Sequence, residues 1–296
     1  MLKLNISTFK SLTTKRELLS AIASIFDPLG ILSPSTIRLK VILQSLWKDN
    51  VSRDDPIPKT ILNSGEEFAS LSEVLKSVEI PRFLKGQMKV DSRIEMHGYC
   101  DGSGKAYSAV VNLRIIPCEK DAGKVVVVFV AAKTRVNPIE PVTLPRIEIC
   151  SELLLGCLSA PILKTLPIQM NGVYLWSDSQ IVLSWIHLPP RKGNQFVLNR
   201  LTQIKSLVPQ AQWNHIAGTS NPTDCASRGI SPSTLLNHPL WWSGTQWLSS
   251  HEPFSPSLIE TFVIEPEFDC VSCAVRLIPD FLSKFSSFSR LSRVVT

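Results

Sequence analysis

The spacing of apolar residues along the chain changes near residue 91. Before that point apolar side chains recur every three to four positions, which predicts helices at 15–26, 33–47 and 59–77. The turn-forming segment Asp27-Pro28-Leu29-Gly30 separates the first two helices. Beyond residue 91 the spacing shortens to two, which is typical of strands. The change predicts a helical region followed by a separate α/β unit.

The α/β unit, residues 91–230, is predicted to have the element order β-β-β-α-β-α-α-β-α. Short turns join the first three strands, so we expect them to pair antiparallel. The third strand contains a continuous valine run, which favours the centre of the sheet. The strands are predicted at 93–101, 106–116, 124–132, 173–176 and 212–216, and the helices at 145–163, 181–185 and 196–207, with the last near Asp224. The pattern therefore predicts a five-stranded mixed sheet flanked by helices.

Residues 231–296 are rich in Ser, Pro and Trp, and we expect an irregular tail that packs on the domain and continues into a linker. Stacking of bases on Trp241, Trp242 and Trp247 is the functional alternative to simple packing of these indoles. The chain of 296 residues is 44% hydrophobic and 19% charged, which indicates a globular protein. No apolar stretch approaches the roughly 20 residues of a membrane span.

The net charge is +6, and in residues 91–230 Lys and Arg outnumber Asp and Glu, which suits a nucleic-acid partner without proving one. The seven cysteines are odd in number and lie in apolar runs, so we expect reduced thiols in an intracellular protein. The pair Cys270 and Cys273 forms a single CxxC motif, which indicates incidental thiols more than a zinc site.

Four carboxylates occupy positions where predicted strands end or predicted helices begin: Asp101, Glu148, Asp178 and Asp224. Taken singly, each has an ordinary structural explanation, as a turn residue, a helix cap or a first-turn acid. Taken together, they lie where one edge of an α/β sheet would gather them. Such an acidic cluster is what two Mg²⁺ ions, or Mn²⁺ in their place, require to hydrolyse a phosphodiester.

Several long stretches resemble the ribonuclease H domain of BEL/Pao-class LTR retrotransposon polyproteins, and they cover residues 91–229. They read HGYCDGSGKAYSAVVNLR, AAKTRVNP, LPRIEICSELLLGCL, YLWSDSQIVLSWI, FVLNRLTQIKSL and WNHIAGTSNPTDCASRG. Residues 15–48 resemble the end of the reverse transcriptase in the same polyproteins, and the tail resembles their link towards the integrase. The implied domains are a thumb- or connection-like region at 1–90, an RNase H-like domain at 91–230, and a tail and linker at 231–296.

The resemblance implies an RNase H-like fold and Mg²⁺-dependent hydrolysis of the RNA strand of RNA–DNA hybrids, with the four acids as metal ligands. The implied partners are the hybrid and the rest of the polyprotein, meaning the reverse transcriptase core and the integrase. The implied location is a cytoplasmic virus-like particle, with the nucleus as an alternative.

A set of polar residues near the predicted acidic edge is expected to contact nucleic acid, with solvated surface charge as the alternative: Lys133, Arg135, Arg146, Ser179, Asn199 and Arg200. Glu152 lies one helical turn after Glu148 and is either a supporting acid or the partner of a nearby cation. The loop before Asp224 lacks the histidine of many cellular ribonucleases H, and His215 lies on the preceding strand instead.

Two other functions remain open. A catalytically inactive retroelement remnant would act as a nucleic-acid-binding or scaffold module. The segment is also known as a Pao retrotransposon peptidase, but an aspartic peptidase needs Asp-Thr-Gly or Asp-Ser-Gly loops. This chain has Asp101-Gly102-Ser103 and Asp178-Ser179-Gln180 instead. It also lacks the Tyr-x-Asp-Asp motif of a polymerase, so it is not expected to synthesise DNA by itself.

Overall fold

The computed structural model describes residues 13–58, 92–118, 124–189 and 194–251. It also gives the backbone of two short strands that pair antiparallel, β1 (Leu2–Lys3) and β2 (Glu79–Ile80). The helix predicted at 59–77 and the Cys270/Cys273 motif lie outside the described residues. The predicted domain boundary at residue 90 lies there too, so the division into domains stays a prediction.

Two helices form the first described segment, as predicted. Helix α1 (Lys15–Ser24) begins with a capping box, because the Thr14 side chain accepts a hydrogen bond from the Glu17 amide and the Glu17 carboxylate accepts one from the Thr14 amide. Helix α2 (Ser33–Lys48) has Pro34 in its first turn, where the missing amide proton costs nothing. The two helices share a small apolar core that includes Leu18 and Leu46.

The central sheet has five strands: β3 (Arg93–Gly102), β4 (Ala106–Ile116), β5 (Val126–Val136), β6 (Gly172–Ser177) and β7 (Gln212–His215). Their order is β5-β4-β3-β6-β7, with β3, β4 and β5 antiparallel and β3, β6 and β7 parallel. The predicted mixed sheet and its element order are confirmed.

The position predicted for the valine-rich strand is wrong, because β5 lies at the edge of the sheet and not at its centre. Its apolar residues are covered by parts of the chain that are distant in sequence. The Ala132 amide donates to the Leu29 carbonyl at 2.7 Å, and the Phe129 ring packs on Trp241 with centroids 5.5 Å apart. A covered edge strand can be as apolar as a central one.

The helices of the α/β unit are α3 (Leu144–Thr165), α4 (Gln180–His187), α5 (Gln195–Leu207) and α6 (Asp224–Arg228), followed by α7 (Pro232–Leu236) and α8 (Pro239–Ser243). Short 3-10 turns occupy Gly218–Ser220 and Gln246–Ser249. Helices α3, α4 and α5 share the core on one face of the sheet. No helix within the described residues has the length and apolar character that a membrane crossing requires.

The other face of the sheet is covered by residues from both ends of the described chain. Trp241 is fully buried there, and its indole nitrogen donates to the Ile31 carbonyl at 3.0 Å. Buried Arg114 donates to the Leu248 carbonyl at 3.0 Å and to the Ser250 carbonyl at 2.7 Å. The tail therefore packs on the domain as far as Ser250, and the buried Trp241 ring presents no face for stacking bases.

Candidate active site

Two of the four predicted acids follow neighbouring parallel strands. Asp101 is the penultimate residue of β3, and Asp178 directly follows β6. Cys100 and Ser177, the residues just before them, are paired in the register of β3 and β6. Asp101 and Asp178 therefore leave the sheet side by side, because parallel strands end at the same edge.

The other two acids reach the same edge on helices. Glu148 lies just beyond the first turn of α3, which passes so close to Gly102 that a Cβ added there would lie 3.0 Å from the Glu148 amide nitrogen. Asp224 begins α6, whose Ser227 hydroxyl donates to the Asp101 carboxylate. The segment leading to α6 also reaches Asp178, since a Cβ on Gly218 would lie 3.1 Å from the Asp178 Oδ2.

The electrostatics of these acids show that they influence one another. Burial and the Asp101 charge raise the pKa of Asp178 to about 7, with Glu148 and Asp224 adding to the effect. Burial also raises the pKa of Asp101, and the Ser227 hydrogen bond opposes that rise. Mutual repulsion in a partly desolvated site is the situation that a bound cation would relieve.

The carboxylates nevertheless do not form a ready metal cage. Within the described part of the chain, no group of three or more His, Cys, Asp and Glu side chains is arranged to hold a metal ion. Three of the acids are engaged by neighbours: Asp101 by Ser227, Glu148 by Ser179 at 2.7 Å, and Asp224 by Arg228 at 2.5 Å. The oxygen donors suit Mg²⁺ or Mn²⁺ chemically, but these side chains would have to rotate to share an ion. Their role as metal ligands stays a prediction.

Ser179 is the one predicted nucleic-acid contact that lies within the acidic edge. It is buried and caps helix α4, where its hydroxyl accepts from the Val182 amide at 3.3 Å. The same hydroxyl donates to the Glu148 carboxylate. These contacts give Ser179 a structural role beside the acids, with little surface left for a nucleic acid.

The basic side chains predicted to contact nucleic acid lie around the side of α3 that faces β5 and α5. The Arg200 guanidinium lies 3.3 Å from the centroid of the Phe196 ring, and the Arg146 guanidinium lies 5.9 Å from the same centroid. Arg135 is exposed on β5 and hydrogen-bonds the Tyr107 hydroxyl. Burial and the charge of Arg135 lower the pKa of Lys133. Together Lys133, Arg135, Arg146 and Arg200 form a cationic patch.

The remaining predicted residues lie close to these two features. Asn199 is exposed on α5, and its side-chain oxygen accepts from the Gln195 amide group at 2.6 Å. His215 ends β7 and is paired with Ser177 in the register of β6 and β7, so it lies near Asp178.

Three supporting residues at the site were missed or undervalued by the sequence reasoning. Ser227 and Arg228 bond two of the acids, and their only sequence signal is their position three and four residues after Asp224 on one helix. Glu152, which the sequence left as either a supporting acid or the partner of a nearby cation, is fully buried and accepts a hydrogen bond from the Ser177 hydroxyl at 2.6 Å. Its signal is the four-residue spacing from Glu148.

Comparisons with known proteins agree with this architecture. The family described as the Pao retrotransposon-like RNaseH-like domain matches residues 14–179. RNase H1 from the halophilic archaeon Halobacterium salinarum NRC-1 is similar in structure, with 13% identity over 49% of this chain and 98% of that chain and a TM-score of 0.29. LC11-RNase H1 in complex with an RNA/DNA hybrid has 13% identity over 44% of this chain and 88% of that chain, with a TM-score of 0.30.

A foamy viral protease-reverse transcriptase in complex with ds DNA has 14% identity over 71% of this chain and 33% of that chain, with a TM-score of 0.43. No curated protein matches the chain in sequence. The family match spans more than half of the chain and includes three of the four strand-end and helix-start acids. The chain therefore belongs to the Pao retrotransposon-like RNaseH-like domain family, and its fold is RNase H-like.

Proposed function

We propose that this protein hydrolyses the RNA strand of RNA–DNA hybrids with the help of divalent cations. The observation that carries the proposal is the meeting of four carboxylates from four separate elements at the edge formed by β3 and β6. Burial, with the repulsion of the neighbouring carboxylates in addition, raises the pKa of Asp178, and such a partly desolvated acidic cluster suits a cation-binding site better than a purely structural one.

Each acid would contribute its carboxylate to the cation site from a different strand or helix. Asp101 and Asp178 lie at the ends of adjacent strands, Glu148 near the N-terminal end of a long helix, and Asp224 at the start of a short helix beside them. Two bound Mg²⁺ ions, or Mn²⁺, would supply an activated water and stabilisation of the leaving oxygen. The side chains of this protein would orient the ions, and the partly buried setting would limit competing water.

The cationic patch would hold the backbone of the hybrid. Neither Arg135 nor Arg200 has a carboxylate partner among the described residues, and the Phe196 ring supports the Arg200 guanidinium. Recognition of a hybrid depends on its shape, its 2′-hydroxyls and its phosphates, so guanidinium groups without a carboxylate partner near the site are useful whatever the base sequence. We further propose that the protein acts within a polyprotein containing a reverse transcriptase core and an integrase, in a cytoplasmic virus-like particle or the nucleus.

One observation favours a second function. Because three of the four acids are tied to neighbouring side chains, the same fold would also serve as an inactive module that binds nucleic acid without cutting it. No structural observation favours the peptidase, since Asp101 lies within a β-strand and Asp178 precedes a helix cap.

The test is cleavage of an RNA–DNA hybrid by the purified protein with Mg²⁺ and with Mn²⁺. Asp101→Asn and Asp178→Asn are expected to abolish cleavage, whereas Asp49→Asn, an exposed acid at the end of α2, should leave it unchanged. An all-DNA duplex of the same sequence should remain intact. Tight hybrid binding without cleavage by the wild type would support the inactive module, and cleavage that survives both site substitutions would refute the assignment of the site.

A further inference from the structure

Two serines flank Asp178, and each donates a hydrogen bond to a different glutamate of helix α3. The Ser177 hydroxyl lies 2.6 Å from the Glu152 Oε1, and the Ser179 hydroxyl lies 2.7 Å from the Glu148 Oε2. We call these four residues the serine–glutamate clamp.

The spacing of the serines on their extended segment matches the spacing of the glutamates on helix α3. Side chains two residues apart on an extended segment point to the same side, and side chains four residues apart on a helix share a face. Ser177 and Ser179 therefore match Glu148 and Glu152 as two parallel rungs. Asp178, between the serines, has its Oδ2 beside Gly218, in the segment that follows β7.

Both serines also bind the backbone around Asp178. The Ser177 hydroxyl accepts from the Ser179 amide at 3.1 Å, which closes a tight turn around Asp178. The Ser179 hydroxyl caps α4 through the Val182 amide. The direction in which the Asp178 carboxylate leaves the sheet is thus set by contacts that end on α3.

Glu152 is the unusual member of the clamp because its carboxyl group is fully buried and has no cationic partner among the described residues. Burial raises its pKa well above the ordinary value, which favours the uncharged form, and the hydroxyl of Ser177 donates to its carboxyl group. A buried acid is costly for a fold unless it is satisfied, and an apolar residue would pack at this position without that cost. A role for its hydrogen bond to Ser177 explains why an acid is present.

We propose that Glu152 is a positioning residue that acts through Ser177 to fix the backbone carrying Asp178, and so sets the cation affinity of the site. This inference rests on the proposed function only in assuming that Asp178 helps to bind a divalent cation. Glu152 itself touches neither substrate nor cation.

The inference is tested with Glu152→Leu, Glu152→Gln and Ser177→Ala in the full chain. The leucine variant removes the hydrogen bond with little change in volume, whereas glutamine retains an acceptor for Ser177. Ser159→Ala is the matched control, since Ser159 is a fully buried residue of the same helix whose hydroxyl has no hydrogen-bond partner among the described residues. Mn²⁺ binding followed by electron paramagnetic resonance is the primary readout, and hybrid cleavage as a function of Mg²⁺ concentration is the second.

We expect Glu152→Leu and Ser177→Ala to weaken Mn²⁺ binding by about 10- to 100-fold, which is typical when a group that orients a metal ligand is lost. The Mg²⁺ concentration for half-maximal cleavage should rise in parallel, with an unchanged KM for the hybrid. Glu152→Gln and Ser159→Ala should stay within a few fold of the wild type. A purely structural role would lower the thermal stability of the variants without this selective loss of cation affinity.

The outcomes separate this inference from the proposed function. Mn²⁺ binding without hybrid cleavage in the wild type would refute the nuclease proposal. The Mn²⁺ affinities of the wild type and the Glu152 variants could still be compared, so the positioning role would remain testable. Unchanged Mn²⁺ affinity in Ser177→Ala, which deletes a single hydroxyl and is expected to fold, would overturn the positioning role. A wild type that binds no Mn²⁺ would overturn both.

Discussion

Replacing Gly30 by alanine should destabilise the protein strongly, because the glycine lies in the turn that joins α1 to α2 and touches the edge of the sheet. Its φ is +71°, in the left-handed region that disfavours side chains. A Cβ on this residue would lie 1.9 Å from the Ala132 carbonyl oxygen and 2.6 Å from its carbon. Backbone atoms of β5 cannot move aside as a flexible side chain would.

The expected loss has three sources. The left-handed conformation costs a residue with a Cβ about 1–2 kcal/mol. Movement of the turn away from β5 breaks the bond between the Ala132 amide and the Leu29 carbonyl, at about 1 kcal/mol. It also exposes part of buried Leu29 and Ile31, each of which contributes about 1.5–3 kcal/mol when fully buried. A total loss of about 3 kcal/mol or more is expected, which is a large share of the 5–15 kcal/mol typical of a domain.

Urea unfolding followed by tryptophan fluorescence measures this loss, and Gly104→Ala is the control. A Cβ on Gly104 meets no atom within 4 Å, so this substitution should change the unfolding free energy by less than about 0.5 kcal/mol. The reasoning is wrong if Gly30→Ala costs less than 1 kcal/mol, or if the two variants unfold at the same urea concentration.

Three further predictions concern charge. In metal-free protein, the free energy of unfolding should fall as the pH rises from about 4 to about 7. Over that range Asp178 is ionised in the unfolded chain, while the folded group, with its pKa of about 7, still holds its proton. Urea unfolding in EDTA should show a shallower fall for Asp178→Asn, and an equal slope would contradict the prediction. Arg114→Ala should cost about 3–5 kcal/mol, since the buried Glu95 carboxylate loses its buried guanidinium partner and keeps only Arg93 and His97 among the described residues, and the Leu248 and Ser250 carbonyls lose their donor. A loss below 1 kcal/mol in urea unfolding would disprove this. Arg200→Ala should weaken hybrid binding and lower the slope of log affinity against log salt by about one. Lys205→Ala on the same helix should change neither quantity. Equal effects of the two substitutions in a filter-binding titration would exclude a specific role for the cationic patch.

The sequence was sufficient to predict the sheet and the convergence of the acids because both depend on local periods and chain order. Alternation of apolar residues identified the strands, and short connections identified the antiparallel pairs. Asp101 and Asp178 could be placed at one edge because strand ends and helix starts share an edge in an α/β sheet. In the structure the two strands that end beside them are parallel neighbours. Their positions need no knowledge of distant packing.

The one mispredicted strand position, and the burial of two polar residues that the sequence analysis did not address, both depend on distant packing. Alternation on β3 assigns Ile94 and Met96 to a buried face and leaves Glu95 and His97 to the opposite one, where polar residues usually meet solvent. In the structure Glu95 and His97 are also buried, because the tail covers them and Trp247 packs edge-on against the His97 ring at 5.4 Å. The same long-range covering places a valine-rich strand at the sheet edge. No local signal reports which distant segment will cover a given face.

The stability of the acidic edge depends on the segments that pack around it. Burying carboxylates close to one another opposes folding, and both burial and the neighbouring charges raise the pKa of Asp178. Helix α6, which carries Asp224, is held against α2 through the bond between the Ile230 amide and the Pro34 carbonyl at 2.9 Å. It is held against the sheet through the bond between the Ser108 hydroxyl and the Thr223 carbonyl at 3.0 Å.

The first described helices therefore support the wall of the site as well as the edge of the sheet. A cation that binds only the folded state would add stability in proportion to the logarithm of its concentration above its dissociation constant. Weakening the support from α2 should then raise the dissociation constant, so the same cation concentration would add less stability to the variant than to the wild type. A substitution far from the site should lower stability by the same amount with and without the cation.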